Sequence, residues 1–416
     1  MSYTEELGQK AKAAEAVISV ASTITKNNAL AAIAKALRSN KELIIAENAK
    51  DIAAAKENNM SASLQDRLLL TEERIEGIAE SVEELIALND PVGEIVGGGS
   101  RPNGMRIIKT RVPLGVIGII YESRPNVTVD GATLCLKSGN AVILKGGKEA
   151  INSNVCLGRI MRKAVSEAGL PEDIIQVVEN TSRETTNELM RLNKYLDVLI
   201  PRGSGKRLIQ AVVQNATVPV IETGAGNCHV FVDASADLDM AVSITDNAKT
   251  QRPSVCNAIE NLLVHKDIAE KFLPMMAERF KEHNVKIYGC DRTREILGDG
   301  IEKATEVEYD TEFLDYTIAV KVVEDISEAV EHIRKYSTKH SECIITSSLE
   351  NAEYFQRCVD AAAVYVNAST RFTDGNVFGL GAEIGISTQK LHARGPMGLD
   401  ELTTVKYLIN GNGQIR

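Results

Sequence analysis

Between residues 141 and 222 the chain has no internal sequence repeat but alternates short β-branched runs with stretches that carry apolar residues at helical spacing. The runs are "AVILK", "IIQVVE", "YLDVLIP" and "VPVIE", and segments such as "NVCLGRIMRKAVSEAGL" and "SGKRLIQAVVQ" separate them. Apolar strands without a polar face must be covered on both sides, so this alternation dictates a parallel sheet between two helical layers. Such sheets take ligands at the carboxyl ends of their strands, where the following helices offer free N–H groups. A second series begins near Leu238 with a helix, a turn carrying Cys256, "ENLLVH", the helix "DIAEKFLPMMAERFKEH", and then "YTIAVKVV", "SECIITS" and "AAAVYVN".

Ahead of both series, Glu5 to about Asn89 is an Ala-, Leu-, Glu- and Lys-rich helical lead-in. The turn-rich "DPVGEIVGGGSRPNG" then leads into the strand-like "MRIIKTRVPLGVIGII", and the C-terminal "ELTTVKYLINGNGQ" reads as a further strand. With 416 residues, two large α/β domains sharing a cleft are expected.

The N-terminal "MSYTEELGQKAKAAEAV" lacks the basic start and apolar segment of a secretion signal, and no window is apolar enough to span a membrane. A soluble, cytoplasmic protein follows as the expectation. The 7 cysteines include no CxxC pair, so reduced thiols are expected rather than disulfides or a metal centre. A formal net charge of −10 disfavours nucleic acid and anionic membranes as partners. A small anionic ligand then requires Lys and Arg gathered locally.

Three residues stand where chemistry is possible. Cys256, in "TQRPSVCNA", follows Arg252 and Pro253 where a helical pattern stops and a strand begins. A turn with free N–H groups and a nearby guanidinium would lower the thiol pKa, as a nucleophile needs, although a free Cys is as readily core filling. Asn126, after Arg-Pro in "YESRPNVTVDGA", is placed at a strand end and reads either as an oxyanion donor or as a turn former. Glu222, ending a β run before Gly-Ala-Gly, faces a cleft or solvent. For phosphate, "AVILKGGKEA" and "DVLIPRGSGKRLIQ" each run from a strand through a Gly-containing turn into a helix, yet neither is GxGxxG.

Taken in order, "ESRPNVT", "LKGGKEA", "IPRGSG", "IETGAGNCHVFVD", "NAKTQRPSVCNA" and "ARGPMGLDELTTVKY" resemble the aldehyde dehydrogenase superfamily over nearly the whole chain. Within it they are similar to the acyl phosphate reductases of proline biosynthesis. The resemblance implies an α/β fold with a Rossmann-like cofactor domain (residues 1–98 and 114–230) and a catalytic domain (231–365, continuing into a substrate loop region, 366–397). A small β projection for oligomerisation (99–113 and 398–416) would complete it. The implied reaction is NADPH-dependent reduction of L-glutamyl 5-phosphate to L-glutamate 5-semialdehyde and phosphate through a thioester.

Cys256 falls on the nucleophile of that family and Asn126 on its oxyanion donor, while Glu222 matches a general base that a reductase needs at most in a supporting role. Lys145, Gly146, Lys148, Gly203, Ser204, Gly205 and Glu312 would bind NADP(H). Lys148 stands where NAD-preferring members often carry a Glu, and an ammonium there attracts a 2′-phosphate. Arg124, Arg252, Arg371 and Arg394 would bind the substrate's anionic groups, and Arg202 and Lys390 lie close to the same motifs. A homodimer or larger homo-oligomer is implied, as is a functional association with glutamate 5-kinase, which would supply the acyl phosphate.

Overall fold

Helix propensity and good caps shape the first 87 residues. The computed structural model describes residues 1–203, 206–298 and 300–416, without the side chains of Ala62, Ser63, Lys206 and Arg207. The lead-in forms α1 (Tyr3–Ile18), α2 (Thr23–Ser39), α3 (Lys41–Glu57), α4 (Ala62–Leu68) and α5 (Glu72–Ala87). Ser2, Ser22 and Thr71 each accept a first-turn N–H and so satisfy donors the helices cannot. The inward stripe of this layer, including Leu30, Ile33, Leu37, Ile75 and Val82, shares one core with Leu134, Val142, Leu144 and Leu157.

Next, β1 (Ile95–Ser100) pairs antiparallel with β2 (Arg106–Pro113). The alternating region then gives β3 (Val116–Tyr121), α6 (Pro125–Lys137), β4 (Ala141–Lys145), α7 (Ile151–Glu167), β5 (Ile175–Val177), α8 (Arg183–Met190), β6 (Val198–Arg202) and α9 (Lys206–Asn215). These strands make a parallel sheet of order β5-β4-β3-β6, and every residue of β3 and β4 is buried. The fourth run, "VPVIE", was expected as a strand and is not one. It contributes only a bridge between Val220 and Leu199, because Pro219 has no N–H to extend the ladder and offers only its carbonyl to Leu199.

The second series builds β7 (Cys228–Val232), α10 (Leu238–Thr250), β8 (Ile259–His265), α11 (Lys266–Glu282), β9 (Lys286–Gly289), α12 (Asp291–Leu297), β10 (Glu302–Lys303) and α13 (Glu306–Tyr309). It continues with β11 (Thr317–Val323), α14 (Ile326–Tyr336), β12 (Ser341–Ile345), α15 (Leu349–Cys358) and β13 (Ala363–Val366). Its sheet runs β10-β9-β11-β8-β7-β12-β13, parallel throughout. A short pair, β14 (Ile386–Ser387) and β15 (Gly395–Pro396), precedes β16 (Thr403–Asn410), which returns to pair with β2 from Thr403 to Asn410. Both outer strands of that three-stranded sheet, β1 and β16, are exposed along almost their whole length. Among the described residues no helix is long and apolar enough to cross a membrane.

Candidate active site

Cys256 hangs in the loop between α10 and β8, and the base of that loop is clamped. Lys249, in the last turn of α10, meets Glu260 of β8 at 2.5 Å, both fully buried, and its Nζ also donates to the Ile259 carbonyl at 3.0 Å. Above the clamp, Ala258 N–H closes a turn on the Val255 carbonyl, leaving Cys256 as a central residue whose own N–H the turn does not use. Gly226 packs on the back of this turn so tightly that a Cβ there would lie 1.4 Å from the Cys256 carbonyl oxygen. The Cys228 thiol donates to the same oxygen at 3.2 Å, and the Gly226 N–H donates to Glu312 Oε1 at 2.6 Å. One short segment therefore holds both the Cys256 turn and Glu312.

The Cys256 side chain is half-buried, not sealed in the core. Surrounding protein nonetheless pushes its thiol up to about 11, Arg202 and Arg124 opposing this while Glu383 and Glu312 reinforce it. This corrects the expectation of a lowered pKa: desolvation outweighs the two guanidiniums, whose effect Glu383 and Glu312 also counter. Since only the thiolate alkylates, carboxamidomethylation of Cys256, followed by mass spectrometry, should quicken about tenfold per pH unit between roughly pH 7 and 10. A plateau already reached by pH 8 would contradict it.

In front of the loop lies a cavity of 680 Å³ whose lining includes Arg67, Arg74, Arg124, Asn126, Asp130 and Arg252. Asn126 is on the first turn of α6, not at a strand end, since β3 stops at Tyr121 and Pro125 opens the helix. That places Asn126 and Asp130 one helical turn apart, and Asn126 Nδ2 donates to Asp130 Oδ2 at 3.0 Å. Burial raises the Asp130 carboxyl to about 6, with the Asn126 bond opposing. Arg124 is lowered to about 10 by burial and by its neighbours Arg202 and Arg67. An acidic chain thus concentrates cations at one place, as a small anionic ligand requires.

The other expected cations divide. Arg371 is near enough to Cys256 to feel its charge, but it is occupied by the side chains of Gln251 and Asn257. Arg394 does not line the Asn126 cavity; it pairs with Asp360 at 2.8 Å, as Lys390 does at 2.8 Å. Glu222 lies elsewhere too, lining a separate cavity with Leu114, Pro219, Gln389 and Leu391, its N–H bonded to Gln389 Oε1 at 2.9 Å.

At the end of β4, Lys145 is buried, its Nζ on the Gly146 carbonyl at 3.1 Å, and burial lowers its pKa. Lys148 is exposed. Gly146 leaves a cradle: a Cβ would sit 2.1 Å from Asn154 Nδ2, which is buried and has no hydrogen-bond partner among the described residues. Gly203, after β6, faces Glu122 across a narrow cleft that Arg67, Arg124 and Arg202 also line. Ser204 and Gly205 lie outside the described residues.

The sequence profile of the Aldehyde dehydrogenase family matches residues 3–294. A gamma-glutamyl phosphate reductase from Clostridium novyi is 60% identical over 414 residues, covering 100% of this chain and 99% of that one. The chain belongs to the aldehyde dehydrogenase family, among its gamma-glutamyl phosphate reductases. A gamma-glutamyl phosphate reductase from Moorella thermoacetica is 59% identical over 98% of this chain and 97% of its own length. The crystal structure of gamma-glutamyl phosphate reductase from Thermotoga maritima superposes with a TM-score of 0.97 at 51% identity, each chain covered completely.

Within this aldehyde dehydrogenase fold, sequence reasoning did not single out Arg67, Asp130, Glu383, Gly226 or Asn154. Arg67 comes from α4, nearly two hundred positions before the loop it touches, and carries no motif. Glu383 approaches Arg202 at 3.9 Å from a loop that offers no periodic pattern. Asp130 was legible in principle, being four residues beyond Asn126 on what proves to be one helix.

Proposed function

We propose that this chain reduces L-glutamyl 5-phosphate to L-glutamate 5-semialdehyde and phosphate, with NADPH as the donor. The reading is carried by one observation: Asn126 and several guanidiniums converge in a cavity before the half-exposed Cys256 turn. The Cys256 thiolate would attack the side-chain carbonyl carbon, with Asn126 and the unused Cys256 N–H receiving the oxyanion. The carbon–oxygen bond to phosphate then breaks, leaving a thioester on Cys256 and phosphate among the arginines. After reduction the Cys256 thiolate is expelled from the thiohemiacetal as the aldehyde forms.

The cradle at Gly146, with an Asn154 Nδ2 that has no partner among the described residues, suits a dinucleotide at the turns after β4 and β6. Lys145, Gly146 and Gly203 would hold it, exposed Lys148 would meet a 2′-phosphate, and Glu312, fixed by Gly226 N–H, would meet the nicotinamide end. When bound, the reduced nicotinamide supplies the hydride. Glu222 supports the reductive reading rather than a hydrolytic one, because it lines a cavity separate from that of Asn126. The exposed edges β1 and β16 suit pairing with a second copy, and hence a homo-oligomer. The labile acyl phosphate has to come from a kinase acting on the glutamate side chain.

The test runs the reaction backwards. Purified protein should reduce NADP⁺ with glutamate semialdehyde only when inorganic phosphate is added, and NAD⁺ should serve less well. Semialdehyde oxidation that proceeds without phosphate would overturn this reading in favour of hydrolysis.

A further inference from the structure

The cavity before Cys256 holds more positive charge than its own carboxylates balance. Four of its lining residues are arginines, and of its two lining carboxylates Asp66 is already bridged to Arg74 at 2.7 Å. Arg74 is further committed to the backbone carbonyls of Asp66 and Leu69, so it serves the α4–α5 corner. The remaining carboxylate, Asp130, receives the Asn126 amide. Among the described residues Arg67, Arg124 and Arg252 are not bridged to either of these two carboxylates; Glu122, which shares the narrow cleft with Arg67 and Arg124, and Glu312 offset only part of the burial and repulsion that lower the Arg67 pKa. Arg202, by contrast, leans on Glu383, and Arg371 is tied to two amide side chains.

Arg67 is the residue of the three whose anchoring is defined. Its Nη2 donates to the carbonyl of Ser254 at 2.5 Å, two residues before Cys256. That bond carries the guanidinium from the N-terminal helices onto the nucleophile's loop. The same side chain lines both the broad cavity with Asn126 and the narrow cleft with Arg202 and Gly203. Guanidiniums crowd there at a cost to one another, since burial and then Arg252 lower the Arg67 pKa. An incoming dianion relieves that repulsion and accepts the remaining N–H groups.

We infer that Arg67 of α4, with Arg124 and Arg252, is the receptor for the phosphoryl group of the acyl phosphate and for the phosphate it releases. This rests on the reading of Cys256 as the nucleophile. The leaving phosphate is joined through one oxygen to the carbon that Cys256 attacks, so it must lie close to that loop. The α-carboxylate is several bonds further away and has the rest of the cavity.

The experiment measures semialdehyde oxidation by NADP⁺ at varied inorganic phosphate, in wild type, Arg67→Gln and Arg67→Lys. The KM for phosphate should rise about ten- to a hundredfold in Arg67→Gln and less in Arg67→Lys, with the KM for semialdehyde changed less than about twofold. Inorganic phosphate should also protect wild-type Cys256 from iodoacetamide at concentrations that no longer protect Arg67→Gln, a readout independent of turnover. A rise confined to the semialdehyde KM, or a fall in kcat with both KM values unchanged, would overturn the assignment and leave Arg67 as a substrate-tail or loop-positioning residue. If wild type itself needs no phosphate, the proposed function fails. If wild type needs phosphate and Arg67→Gln keeps its phosphate KM, only this inference fails.

Discussion

Cys256→Ala should abolish phosphate-dependent NADP⁺ reduction by glutamate semialdehyde, lowering kcat by roughly 10⁴-fold or more, the scale seen when a covalent nucleophile is removed. The substitution is structurally mild. The Cys256 contacts that organise the loop are made by its backbone, whose carbonyl takes the Cys228 thiol and packs against Gly226. The clamp is made by Lys249, seven residues before Cys256, and Glu260, four residues after it. Thermal stability and NADP⁺ binding should therefore stay near wild type while turnover disappears. Cys256→Ser should fare little better, because a hydroxyl ionises far less readily than even a thiol pushed up to about 11. Turnover within tenfold of wild type in either variant would remove the thioester from the account.

Cys228, at the start of β7, reaches the same turn with its side chain, yet it is fully buried with its proton donated to the Cys256 carbonyl, and burial holds its pKa well above the usual thiol range. One thiol is a brace and the other is half-buried on a loop whose Arg252 lines the Asn126 cavity. Their flanks differ in texture, the polar "TQRPS" before Cys256 against the apolar "CHVFV" that starts at Cys228, but nothing in either flank shows that the second thiol braces the first.

That difference marks what could be read in advance. Strand and helix alternation was legible because burial on both faces leaves a continuous apolar run, as in fully buried "AVILK". "VPVIE" shows the limit, since composition favours a strand but one missing N–H at Pro219 ends the pairing. Asn126 was legible as a motif residue, whereas its place on α6 depends on where Pro125 opens the helix. The raised thiol pKa is not legible in sequence, because the flanking residues name the nearby cation and say nothing of desolvation or of Glu383 and Glu312, which reach the site from distant loops. Arg67 was beyond pattern altogether, for its place beside Ser254 depends on how α4 packs against a loop far along the chain.

Gly226→Ala should be the most damaging change outside the reacting groups, costing about 10²-fold or more in kcat and measurably lowering the melting temperature. A Cβ at this position would lie 1.4 Å from the Cys256 oxygen, 2.3 Å from its carbonyl carbon and 2.7 Å from its Cα, all backbone atoms. No rotamer change relieves such an overlap, so one chain has to move by more than an ångström. Gly226 is the worse placed to do so: its N–H is held by Glu312, and Asn227 beside it donates to the carbonyls of Tyr309 and Tyr336 and receives Asn261. The Cys256 turn would yield instead, and displacement of a nucleophile by about 1 Å suffices for a hundredfold loss. Overpacking of this kind destabilises by about 1–3 kcal/mol. Alkylation of Cys256 should change rate as well, since its surroundings shift with the turn. Gly77→Ala in α5, where an added Cβ meets nothing within 4 Å, is the control for the melting temperature alone, since Gly77 lines the Asn126 cavity, and should leave stability equal or higher. Wild-type kcat and melting temperature in Gly226→Ala would mean that the turn does not depend on this contact, and that Cys256 is positioned by the Lys249–Glu260 clamp alone.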